Sequence, residues 1–287
     1  MSSLIASDAS LSEVNVTRWR NGVVSHATDK VAEEVPIALI YNGVSHAVML
    51  ATPQDLEDFA LGFSLSEGIL HSKNELYDVE IITQPLGIEL RLDVATEAFV
   101  KLKERRRNLV GRTGCGLCGA ESLEQALRLP EKILNLAENT TSSTGAASSL
   151  VISASSIIKA FRTIQTTQVL QQATGATHAC AWVSTEVNAE GEIELLREDV
   201  GRHNAMDKLI GALAKRPRQD DGFVLTSSRA SVEMVQKVAL AGYGILAAIS
   251  APTGLAVRIA EDYGVTLVGF LRDNQFVMYA HPQRINP

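Results

Sequence analysis

Two thiols three positions apart, Cys115 and Cys118, lie in the run Thr113–Gly114–Cys115–Gly116–Leu117–Cys118–Gly119. The thiolate is the reactive form of cysteine. Positive surroundings and a Cys-x-x-Cys arrangement lower a thiol pKa from about 8.5 into the range of roughly 3.5–7.5. Such charge is supplied just upstream by Lys101, Lys103, Arg105, Arg106, Arg107 and Arg112, opposed by Glu104 alone. Three glycines around the pair predict a tightly turned or mobile loop. Three chemistries fit: dithiol redox exchange, a zinc ligand pair, or a persulfide carrier. A thioredoxin-like redox pair belongs near a βαβ pattern, and this one follows a basic segment instead. For zinc, His178 and Cys180 sit two apart in an expected strand and would complete a Cys3His set. The spacing is irregular, and a lone Cys among Ala176, Ala179, Ala181 and Trp182 also reads as a small buried hydrophobe.

Hydroxyl-rich turns form a second group. Thr226–Ser227–Ser228–Arg229 and Ser250–Ala251–Pro252–Thr253–Gly254 each follow an expected strand and open an expected helix. In a parallel sheet both lie at the carboxyl edge, where ligands bind. Free backbone N–H groups at helix starts attract anions. Two such ends side by side, with Arg229 close by, suit a pyrophosphate; ordinary capping by Ser and Thr explains either turn equally well. A third cluster, Arg197–Glu198–Asp199–Val200–Gly201–Arg202–His203–Asn204, packs charge between a strand and a helix. We expect a functional role there ahead of a capping network, with His203 able to move protons near neutral pH. Glu261 and Asp262 fall where a helix should end and read as an exposed terminus. His281, near the chain end, says little alone.

The elements that must position these groups divide the 287 residues in two. Residues 1–20 read as a loose arm and 21–112 as a small N-terminal α+β domain. The latter has strands at 35–41 and 45–50 around Asn42–Gly43, and further strands at 79–83 and 88–94. A helix is expected to open with Thr52 as cap and Pro53 at its first position, burying Leu56, Phe59, Ala60 and Phe63. Residues 113–150 hold the cysteine loop and a linker of Thr, Ser, Gly and Ala. Residues 151–287 form the second domain, with helices at 155–172, 203–214, 232–240 and 255–261. Its strands are expected at 178–185, 193–197, 223–225, 245–249, 265–271 and 275–280. That alternation predicts an α/β fold with a mixed, mostly parallel sheet.

Hydrophobic residues make up 46% of the chain and aromatics 5%, enough for packed α/β layers with aliphatic cores. The net charge of −7 disfavours nonspecific nucleic-acid binding. Three cysteines make no secreted disulfide framework. The N-terminus lacks the basic and apolar regions of a signal peptide. The most apolar stretch, 238–257, is interrupted by Gly242, Gly244, Ser250, Pro252 and Gly254, which fits a buried βα unit better than a membrane span. A cytoplasmic location is therefore expected.

Several long motifs carry a family resemblance, in order, from about residue 30 onward. They are Glu34–Val35–Pro36, Asp58–Phe59–Ala60–Leu61–Gly62–Phe63, Gly111–Arg112–Thr113–Gly114–Cys115, Glu198–Asp199–Val200–Gly201–Arg202–His203 and Ser227–Ser228–Arg229–Ala230–Ser231. Together they resemble the FdhD-type formate dehydrogenase accessory sulfurtransferases. The resemblance implies that Cys115 accepts a persulfide sulfur from a cysteine desulfurase, with Cys118 assisting. It implies delivery to the molybdenum bis(molybdopterin guanine dinucleotide) cofactor before insertion into formate dehydrogenase. The guanine dinucleotide would be held partly by Phe270, Leu271, Arg272, Asp273, Asn274 and Gln275, with Ser227, Ser228, Arg229, Thr253 and His203 as further cofactor-binding candidates. It also implies a cytidine-deaminase-like second domain and a homodimer. A zinc deaminase needs H-x-E and P-C-x-x-C at its helix starts; here they read Arg202–His203–Asn204–Ala205 and Ser227–Ser228–Arg229–Ala230, so no bound metal and no deaminase activity are expected. Two other readings stay open: a cofactor chaperone without sulfur chemistry, and a structural zinc protein.

Overall fold

The structure is a computed structural model that describes residues 10–107, 150–186, 190–218 and 221–287. It opens with an antiparallel hairpin, β1 (Leu11–Arg20) and β2 (Val23–Ala32), turning through Asn21 (φ 51°) and Gly22 (φ 83°). Residues 11–20 are therefore not a loose arm. An Asn-Gly turn between β-branched runs supplies the positive φ pair that a two-residue hairpin needs.

A four-stranded sheet follows in the order β4-β3-β6-β5, from β3 (Val35–Tyr41), β4 (Val44–Ala51), β5 (Leu76–Gln84) and β6 (Gly87–Val94). Strand alternation puts Val35, Ile37, Leu39 and Tyr41 of β3, with Ile88, Leu90, Leu92 and Val94 of β6, on one buried face. Phe59, Ala60 and Phe63 of α1 (Leu56–Ser66) and Leu102 of α2 (Thr96–Arg107) pack against that face. Helix α1 starts later than the Thr52–Pro53 signal predicts. Asp55 stands at its N-cap in the left-handed region (φ 53°) without a side-chain cap. Thr52 is used elsewhere: its N–H donates to Asp199 Oδ2 (3.0 Å) and its hydroxyl accepts from the Val200 N–H (3.2 Å).

The second part contains β7 (Ile152–Ser153), α3 (Ala154–Thr167), α4 (Val169–Thr174), β8 (His178–Ser184), β9 (Ile193–Asp199) and α5 (Arg202–Ala214). It continues with β10 (Gly222–Thr226), α6 (Val232–Leu240), β11 (Ile245–Ala248), α7 (Gly254–Asp262), β12 (Thr266–Arg272), β13 (Gln275–Ala280) and β14 (Ile285–Asn286). Six strands form one mixed sheet, β13-β12-β11-β10-β8-β9. Parallel pairing is confined to β10–β11 and β11–β12; the other neighbours are antiparallel. The mostly parallel sheet expected from the α/β alternation gives way at both edges, because β8–β9 and β12–β13 are hairpins that cannot run parallel. Helices α5, α6 and α7 cover one face and α3 the other. The single helix expected over 155–172 is broken at Gln168 (ψ 89°), where the Glu198 carboxylate accepts the N–H groups of Leu170 and Gln171 and caps α4. No helix among the described residues is long and apolar enough to cross a membrane.

Helices α1 and α5 join the two parts. They cross at Gly62 and Gly211: a Cβ on Gly62 would overlap the Asp207 carbonyl, and one on Gly211 the Asp58 carbonyl. Ion pairs surround this crossing. Arg197 holds Asp58 (2.7 Å), fully buried Lys208 holds Asp199 (2.6 Å), and Lys237 holds Asp207 (2.8 Å) and Glu67 (2.9 Å). The cluster at 197–199 is thus a seam between the two parts and a helix cap. The functional role expected for Arg197, Glu198 and Asp199 is replaced by this structural one.

Candidate functional site

Register determines what meets at one edge of the six-stranded sheet. Cys180 of β8 lies opposite Thr226 of β10, and His178 opposite Asp199 of β9. The start of β8 therefore shares an edge with the ends of β9, β10, β11 and β12. His203, Ser227–Arg229, Thr253 and Phe270–Gln275 all lie along that edge.

The two hydroxyl-rich turns do lie side by side. Ala230 bridges to Pro252, and the Thr253 N–H donates to the Ala230 carbonyl (3.0 Å). Their hydroxyls, however, are engaged within the fold. Ser227 Oγ accepts the Ala179 N–H (2.8 Å). Buried Ser228 bonds Thr226 Oγ1 (3.0 Å) and the Arg229 carbonyl (2.9 Å). Thr253 Oγ1 caps α7 through the Ala256 N–H (3.3 Å). The first turn does not open its helix directly either: α6 begins only after Ser231. Arg229 is what this turn exposes to solvent.

The segment after β12 divides in function. Phe270 adopts φ 53°, an outlier for an aromatic residue, and the residue stays 42% exposed while its N–H is anchored on the Ser250 carbonyl (3.2 Å). Leu271 is buried in the core. The Arg272 guanidinium donates to the Ile249 carbonyl (3.0 Å). Arg162 of α3 donates to the Asp273 carbonyl (2.9 Å) and to Asn274 Oδ1 (3.2 Å), bracing the turn from the far face. Gln275 is exposed opposite Arg272.

His203 Nε2 lies 3.5 Å from Ser231 Oγ and 3.8 Å from the Glu233 carboxylate. Burial, reinforced by the Arg202 charge, pushes its pKa down to about 4, so the ring is neutral at pH 7. His178 is shifted in the same direction by burial and then by Arg202 and Arg229. Glu233 was not singled out in the sequence, whereas Arg202 stands within the cluster that holds His203 and Ser231 closes the motif that begins at Ser227. Cys180 takes the bland role. It is fully buried, its Sγ is 3.5 Å from Thr226 Oγ1, and burial pushes its thiol up to about 12. Among the described residues no three His, Cys, Asp or Glu side chains are grouped to hold a metal. Cys115 and Cys118 lie outside the described residues, as does most of the 113–150 loop and linker.

Around this geometry, residues 32–286 match the model of the FdhD/NarQ family. The chain is 57% identical over 271 residues to the sulfur carrier protein FdhD of Cupriavidus necator, covering 94% of this chain and 88% of that protein. It is 48% identical to the protein of the same name from Bordetella petrii, with 94% and 92% covered. A crystal structure from Desulfotalea psychrophila, described as a formate dehydrogenase accessory protein, shares the fold with a TM-score of 0.71 at 22% identity, covering 97% of this chain and all of that one. The chain belongs to the FdhD/NarQ family.

Proposed function

We propose that this protein is a cytoplasmic sulfur carrier serving formate dehydrogenase. In this reading it takes persulfide sulfur from a cysteine desulfurase on Cys115 and passes it to the molybdenum bis(molybdopterin guanine dinucleotide) cofactor, its bound substrate. The observation that carries the binding half is the sheet edge: in a chain of net charge −7, exposed Arg229, half-buried Arg202 and exposed Phe270 all lie along it. Guanidinium groups match phosphate oxygens in shape and charge. An exposed aromatic face suits a nucleobase.

The sulfur half rests on the Cys115–Cys118 motif and on what the relatives are called. In the first step the Cys115 thiolate attacks the outer sulfur of the donor persulfide. A new S–S bond forms on Cys115, the donor S–S bond breaks, and the electron pair leaves on the donor cysteine. In the second step Cys118 assists: its thiolate attacks the inner sulfur of the Cys115 persulfide. Hydrosulfide then leaves for the cofactor, and a Cys115–Cys118 disulfide remains for a cellular dithiol to reduce.

A cofactor chaperone without sulfur chemistry is the second reading. Mass spectrometry of the Cys115–Cys118 peptide after incubation with a desulfurase and cysteine separates the two. The carrier predicts one added sulfur atom on Cys115, removed by reductant and absent in Cys115→Ala. An unmodified peptide, with the desulfurase active, leaves the chaperone.

A further inference from the structure

The β1–β2 hairpin joins neither core, and its main contact with another element is with α4. Both of its strands are edges, and a two-stranded hairpin is marginal by itself in water. Near its turn Trp19 is 72% exposed, with Val23 and Val24 exposed beside it. Arg18 and Arg20 flank Trp19 and point to the opposite face of the strand. Arg18 reaches exposed Asp29 (3.3 Å), whereas Arg20 has no carboxylate within salt-bridge distance among the described residues. The four-stranded sheet carries the opposite charge at its free strand, β5. Asp78 and Glu80 are exposed there, as are Tyr77 and Ile81. Asp78 lies directly opposite exposed Asp93 of β6. Like charges so placed destabilise a sheet. Among the described residues no basic group lies within salt-bridge distance of either, and Arg91 is engaged by Glu89 (2.9 Å) and Glu80 (3.8 Å). Nothing in the fold of one copy accounts for that uncompensated pair.

We propose that β1 of one copy pairs with β5 of a second copy, so that the hairpin extends the second copy's four-stranded sheet. Spacing and charge both fit. Arg18 and Arg20 are two residues apart on one face of β1, and Asp78 and Glu80 two apart on one face of β5, about 7 Å in each case. An antiparallel register that sets Arg20 against Asp78 and Arg18 against Glu80 also sets Trp19 against Val79 on the other face, with Ile81 as a diagonal neighbour. The two strands are not paired within one chain. A two-fold dimer makes the contact twice. Backbone pairing and the covered Trp19 supply the affinity, and the charges fix the register and the partner.

Sedimentation equilibrium of the full-length protein, reduced so that no disulfide links the copies, tests the pairing. Wild type should be a dimer that salt weakens. Arg18→Glu/Arg20→Glu and Asp78→Arg/Glu80→Arg each set like charges across the contact and should weaken the dimer about tenfold or more. Mixed in equal amounts, the two variants match each reversed hairpin with a reversed edge and each native hairpin with a native edge. The mixture should therefore dimerise as wild type does. A mixture that stays monomeric overturns the pairing, as does a monomeric wild type, or a variant whose dimer stays within about threefold of wild type in affinity. Should Asp78→Arg/Glu80→Arg fail to fold by circular dichroism, Asp78→Asn/Glu80→Gln removes the charges at the same exposed positions. That variant should weaken the dimer and flatten its salt dependence, and an unchanged salt dependence overturns the pairing.

Discussion

His203 sits at the candidate site with about a third of its side chain exposed, and its proton affinity is lowered by burial and by Arg202. An unfolded histidine titrates near 6.5, whereas this one does so at about 4. Between those values the unfolded chain binds more protons, so stability rises with pH across the window and falls on acidification. His178 is shifted the same way and adds to the trend. We expect the melting temperature to drop as pH is lowered from 6.5 to 5, and His203→Gln to flatten that drop. An unchanged pH slope in the variant would show that the ring is not held neutral by its surroundings. Both histidines were visible in the sequence. Their environment was not, because it is made first by burial against other elements, with the charge of Arg202 and, for His178, of Arg229 added to it.

At the scale of elements, α1 and α5 approach closely enough that only glycine fits at their crossing. Gly211→Ala forces its new methyl into the Asp58 carbonyl, and the helices must separate. Overpacking of this kind costs about 1–3 kcal/mol, which chemical denaturation would read; a neutral result would mean that the crossing is looser than the geometry implies. The same separation would strain the Arg197–Asp58 and Lys237–Asp207 pairs beside it. The helix itself was legible from the apolar spacing of Leu56, Phe59, Ala60 and Phe63. The glycine contact was not, since nothing in residues 56–66 tells which helix will lie across them. Strands β3 and β13 and helix α6 fall on the ranges that periodicity alone predicts. The break at Gln168 does not, because its cause is the Glu198 carboxylate arriving from another strand.

For the whole molecule, the β1–β2 hairpin contributes little to either core: it is absent from all three apolar clusters and exposes Trp19, Val23 and Val24. Two-stranded hairpins are marginal by themselves in water. Deleting residues 1–32 should therefore leave the remaining body folded, with a melting temperature within about 4 °C of the full chain; a larger fall would show that the hairpin supports the second domain.

What the sequence by itself determined is local. Thiol spacing, glycine content, charge runs and apolar periodicity report on a few neighbouring residues, and those sufficed for the α/β fold class and for singling out the Cys115–Cys118 motif. The tertiary structure alone decided which polar residues serve the fold and which are left at the open edge of the sheet. Ser227, Ser228 and Glu198 hold turns and caps, and Asp199 closes the seam with Lys208. Arg202, Arg229 and Phe270 lie along one sheet edge, following β9, following β10 and within β12. The reason is physical: a side chain's role depends on whether its hydrogen-bonding groups are already satisfied, and their partners lie tens of residues away along the chain.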